Sequence, residues 1–139
     1  MTDTYTLHIV QVECIEAQET DGDELYITLD DRMIWQARPF TLHHHPSTDR
    51  QLKAVHFAGS RRLTRDGWIS ETDTPVQQLV IPDLSGTHTL RLWDHDVLTS
   101  DDLLGENPVA LTDAGRGTIQ VVFTRDGARY HLSYRVETG

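Results

Sequence analysis

From Tyr5 to Val12 apolar and polar side chains alternate, the period-two signature of a strand with one face turned to a core. Leu7 and Ile9 fall on one side of that strand, and His8, Val10 and Val12 on the other. Asp21-Gly22 predicts a turn, Leu25 to Leu29 a second strand, and Asp30-Asp31 a hairpin into a third strand over Met33 to Ala37. The next forty residues carry Pro39, three consecutive histidines at His43, His44 and His45, Pro46, and the group Arg61, Arg62 and Arg65. Within them, strands are predicted at Leu52 to Phe57 and around Trp68 to Ser70. Val76 to Ile81 and Thr89 to Asp94 flank a turn at Ser85-Gly86. Pro108 to Leu111, Thr118 to Phe123 and Ala128 to Val136 complete the set, the last two joined by Arg125-Asp126-Gly127, whose Asp-Gly suits a hairpin. No long helical periodicity, internal repeat or low-complexity segment interrupts the pattern. Eight or more short strands separated by turn signals predict an all-β chain folded as an antiparallel sandwich or barrel.

At 139 residues the chain is one domain's worth, spanning 1–139, and long enough to bury a core without staples. It holds 22 acidic against 12 basic residues, a formal charge of -10, which disfavours any nonspecific grip on nucleic acid or an anionic membrane. The distribution is more telling than the sum. Glu16, Glu19, Asp21, Asp23 and Glu24 form one acidic window, and Asp94, Asp96, Asp101, Asp102 and Glu106 another. If the fold brings these windows together, their like charges repel unless a cation intervenes. The single Cys14 ends an apolar strand, which predicts a buried thiol rather than a nucleophile and excludes an internal disulfide. The N-terminal residues lack the basic and apolar runs of a signal peptide, and no stretch has membrane-spanning length, so a cytoplasmic location is the default expectation.

The second acidic window carries the chemistry. Asp94 and Asp96 are two apart on an extended segment, so their side chains point to the same side, and a short loop can fold Asp102 back onto them. Three carboxylates around one point describe a site for a hard cation, above all a calcium ion. Leu103-Leu104-Gly105 then returns to the core, with Gly105 allowing a tight backbone.

Asp94, Asp96 and Asp102, followed by Leu103-Leu104-Gly105, resemble the third calcium-binding loop of C2 domains. Upstream, the strand through Leu7, Ile9 and Val12, the segment Cys14 to Thr20, and Asp23-Glu24-Leu25-Tyr26-Ile27 are similar to the first C2 loop and its re-entry into a strand. The resemblance covers residues 5 to 36 and 76 to 136. It implies an eight-stranded antiparallel C2-like β-sandwich whose loops cluster at one end and hold Ca2+. The ligands so implied are Asp94, Asp96 and Asp102, with Asp23 and Glu24 from the first loop and the backbone carbonyl of His95. The family's proline after the loop-one aspartate is absent, one residue is inserted before Tyr26, and Ala17 stands where the family carries another acid. Either Glu16, Glu19 or Asp21 replaces that acid, or the second metal position does not exist. Asp101 is expected to point away from the ion as a hydrogen-bonded turn residue. Val97 and Leu98, at the tip between the acids, are candidate contacts for a phospholipid surface or a partner protein.

Three other readings compete. Calcium could merely rigidify the loops of a protein-interaction module, stabilising it because the folded form alone binds the ion well. A small ligand could bind through a calcium-bridged hydroxyl. A transition metal at the histidine run is weaker, since only His43 and His45 share a face. His8 and His56 read as strand residues, and the arginine group as a solvated loop patch. No serine or cysteine lies in a nucleophile motif, so the chain is expected not to be an enzyme.

Overall fold

A computed structural model describes residues 3–18, 23–36, 52–57, 61–64, 69–70, 79–96, 99–125 and 127–139. Its strands are β1 (Tyr5–Glu16), β2 (Leu25–Leu29), β3 (Arg32–Gln36), β4 (Leu52–His56), β5 (Arg61–Thr64), β6 (Ile69–Ser70), β7 (Leu79–Leu84), β8 (His88–Asp94), β9 (Asp102–Val109), β10 (Thr118–Arg125) and β11 (Ala128–Thr138), with one 3-10 turn at Leu111–Asp113. Among the described residues no helix is long and apolar enough to cross a membrane.

Eight of these strands make an antiparallel sandwich, four to a sheet. One sheet runs β10-β11-β1 with β7 beside the first half of β1; the other runs β3-β2-β8-β9. The meander β4-β5-β6 extends the first sheet along the second half of β1. Arg61 and Arg62 therefore lie on strand β5, paired with β4, rather than in a polar loop. The histidine run and Arg65 lie outside the described residues, as do Trp68, the start of the strand predicted from Val76, and Asp126.

The alternation expected along β1 is interrupted. Ile9 pairs with Tyr134 and Gln11 with Ser133, leaving Val10 as an extra residue, a bulge. The extra residue flips the sidedness: Tyr5, Leu7 and Ile9 face the core before it, and Val12 and Cys14 face the same core after it. The assignment of Val12 to the face opposite Leu7 is thus corrected, because a strict period of two does not survive a one-residue slip.

Leu25, Ile27 and Leu29 of β2 and Leu90 and Leu92 of β8 bring the second sheet's share of the core, meeting Val12, Tyr130, Leu132 and Tyr134 of the first. Strand β9 begins at Asp102, six residues before the Pro108 start expected from the sequence, and Leu111 belongs to the 3-10 turn. It is an edge strand, the place in a sheet where a proline such as Pro108 is tolerated. Gly105 is buried inside β9, and a methyl group on its Cα would collide with the Phe123 ring on β10. Its bareness serves sheet-to-sheet contact rather than a tight loop.

Candidate functional site

The pairing of three strands builds one end of the sandwich. Leu25 is opposite Asp94 in the β2–β8 ladder, and Asp94 is opposite Asp102 in the β8–β9 ladder. The two acidic windows are therefore neighbours in space, as the sequence predicts. Asp94 continues the inward face of Leu90 and Leu92 and is fully buried, as is Asp23. A carboxylate at such a place requires hydrogen-bond donors. Asp94 Oδ1 accepts the Glu24 N–H at 3.0 Å, and the His95 N–H donates to the Glu24 carbonyl at 2.8 Å. Asp23 Oδ2 accepts both the Gln18 N–H (2.7 Å) and the Tyr130 hydroxyl (2.6 Å). Burial, with Cys14 and Asp23 alongside, pushes the Tyr130 hydroxyl well above its ordinary range.

The side chain of Gln18 closes the arrangement. An amide oxygen pointed at Asp94 and Asp102 would face acceptors only, so the amide nitrogen takes that position, donating to Asp94 Oδ2 at 2.9 Å and Asp102 Oδ2 at 3.1 Å. The first loop and both sides of the last acidic loop thus meet at one amide group.

Asp96 and Asp101 turn elsewhere. Asp96 Oδ2 accepts the Thr99 hydroxyl at 2.8 Å. Asp101 accepts the Tyr26 hydroxyl (2.5 Å), the Asp96 N–H (3.0 Å) and lies 3.1 Å from His95 Nδ1, the turn role expected of it. The Tyr26 hydroxyl, foremost, holds the Asp101 carboxyl below the usual range. Burial, and then Asp101, pushes Tyr26 up in return. Tyr26 also stacks on Trp93, ring centroids 6.1 Å apart. Beside this network an open cleft of about 400 Å³ is lined by Glu24, Tyr26, Met33, Gln36, His95 and Asp101.

Of the expected ligands, Asp23, Glu24, Asp94, His95 and Asp102 are thus drawn into one hydrogen-bonded end, while the Asp96 carboxylate caps its own loop. Glu16 is exposed at the end of β1 opposite Arg129. Glu19, Asp21, Val97 and Leu98 lie outside the described residues. Among the described residues no three His, Cys, Asp or Glu side chains form a group that could hold a metal ion. The oxygen chemistry suits a hard cation, and Asp94 with Asp102 gives two carboxylates facing one point. Gln18, Tyr130 and Tyr26 were not singled out by the sequence. Gln18 had one signal, its place beside Ala17, where an acid was expected.

No family model matches the chain, and no curated protein matches it. Solved structures do. It is similar to a structure described as that of a C2 domain, at 12% identity and a TM-score of 0.44, covering 98% of this chain and 99% of that one. It is also similar to a C2 domain of plant extended synaptotagmin 1 (8% identity, TM-score 0.45, 99% and 95% covered). A third likeness is to the paired C2 domains of extended synaptotagmin 2 (14% identity, TM-score 0.44, 98% of this chain and 40% of that one). No residue role is carried across from them.

Proposed function

We propose that the chain is a calcium-binding C2-like module, not an enzyme, that takes the ion at its acidic end and then docks on an anionic phospholipid surface. The observation that carries this reading is the convergence of Asp94 Oδ2 and Asp102 Oδ2 on a single point, now held by the Gln18 amide at 2.9 and 3.1 Å. A calcium ion binds oxygens at about 2.3–2.6 Å, so modest closure of the same two carboxylates would hold it. Asp23 and Glu24 on the first loop, Asp96 and the His95 carbonyl on the last, and water are the further oxygen donors. Glu16, Glu19 and Asp21 are held in reserve from the first loop. Bound calcium would neutralise charge in a chain of formal charge -10 and turn a repelling end into one that attracts anionic head groups. Val97 and Leu98, between Asp96 and Thr99 in sequence, would then meet the interface.

Thermal melts in calcium, magnesium and chelator test the ion, on the parent chain and on Asp94→Asn and Asp102→Asn. A calcium-specific rise in the parent, lost in both variants, is expected; equal responses in all three refute the ligands. Co-sedimentation with phosphatidylserine vesicles tests the surface. Pelleting that needs calcium supports docking, and calcium binding without pelleting refutes it.

A further inference from the structure

We infer that the Gln18 amide is a built-in counter-group for the Asp94 and Asp102 carboxylates, so that an added cation must displace it. The step rests on the calcium reading above for the identity of the competitor, and on the geometry of this chain for the rest.

Asp94 is fully buried and Asp102 half-buried, opposite each other in one ladder. Two carboxylates so placed repel, and the repulsion is strongest where water is excluded. Gln18 answers it with a primary amide, which offers two N–H groups on one nitrogen, one for each acid, at 2.9 and 3.1 Å. The placement is fixed from below. Ala17 before it is buried, and the Gln18 backbone N–H donates to Asp23 Oδ2 at 2.7 Å, so the side chain leaves an anchored point toward β8 and β9. The Asp23 oxygen that anchors Gln18 is itself gripped by Tyr130 at 2.6 Å.

An amide supplies partial positive charge without net charge. It quiets the two acids enough to fold without a metal, but less well than a divalent ion would. Binding therefore requires two hydrogen bonds to carboxylates to break before the ion's own contacts form, and apparent affinity is the intrinsic affinity multiplied by the fraction of molecules in which Gln18 has swung away. Gln18 thus sets how much calcium the module needs before it responds.

The test compares the full chain with Gln18→Ala by thermal melting in chelator and by calorimetric titration with calcium chloride. Loss of the amide should lower the chelator midpoint, tighten the calcium dissociation constant about a hundredfold, as expected for two charge-assisted hydrogen bonds no longer competing, and enlarge the calcium-induced rise. Should Gln18→Ala fail to fold, Gln18→Met keeps the stem and removes the whole amide, and the same comparison applies. An unchanged midpoint with an unchanged dissociation constant overturns the counter-group role while leaving calcium binding intact. Absence of calcium heat in parent and variant alike overturns the calcium reading and the competition with it, even if the chelator midpoint falls.

Discussion

The Tyr130 hydroxyl donates to Asp23 Oδ2 at 2.6 Å, tying the last strand to the first loop across 107 positions of chain. Both groups are fully buried, and the same oxygen anchors the backbone of Gln18. Tyr130→Phe keeps the ring in the core and removes the hydroxyl, which serves Asp23 and also the Cys14 thiol. Urea denaturation should show a loss of about 1.5–3 kcal/mol, the range for a hydrogen bond to a charged group. A loss near zero would mean that Asp23 is solvated rather than held by Tyr130.

Gly105 lies beneath Phe123, where the sheets approach. Gly105→Ala should cost about 1–3 kcal/mol by overpacking, and Gly105→Ala combined with Phe123→Leu should recover part of it. Chemical denaturation of Gly105→Ala, Phe123→Leu and the double variant checks this; purely additive losses would show that the two positions do not clash.

At the other end of β2, Asp30 takes a left-handed backbone (φ 54°) and its carboxylate accepts the Thr89 N–H at 2.9 Å. His88 Nδ1 lies 2.6 Å from the other oxygen. The Thr89 N–H first, and then His88, hold the Asp30 carboxyl below its usual range. A lowered folded-state value contributes stability that is present above the unfolded value of about 3.9 and lost as pH falls through the folded one. Carboxyl 13C NMR titration should therefore find Asp30 below about 3.9, and His88→Ala should raise it only in part, because the Thr89 donor remains. A full return to the ordinary value would assign the effect to His88 alone.

Burial pushes the Cys14 thiol up to about 12, so it is protonated at neutral pH. Reaction with a chromogenic disulfide reagent at about pH 8 should be negligible in the native chain and complete in denaturant. Rapid native labelling would show that β1 opens at its end.

The sequence reading recovered whatever obeys a clean period. Strand β2 falls on Leu25–Leu29 as expected, and β8 differs from expectation by one residue. The sidedness of β1 is not legible, because the extra residue at Val10 is invisible to periodicity, nor is the start of β9, because aspartate is depleted in strands and Asp102 therefore reads as loop. The nearness of the two acidic windows was legible from charge spacing and the resemblance to C2 loops. Gln18 was not: an uncharged side chain among acids carries no pattern, and its role exists only where two ladders bring Asp94 and Asp102 side by side.

The most direct measurement is a 1H–15N NMR titration of the chain with calcium chloride. The account predicts shifts centred on the backbone amides of Gln18, Glu24, Asp94, His95 and Asp102 and on the Gln18 side-chain amide, with little change at Asp30 and His88. A spectrum indifferent to calcium, or shifts gathered at Asp30 and His88 instead, would contradict it.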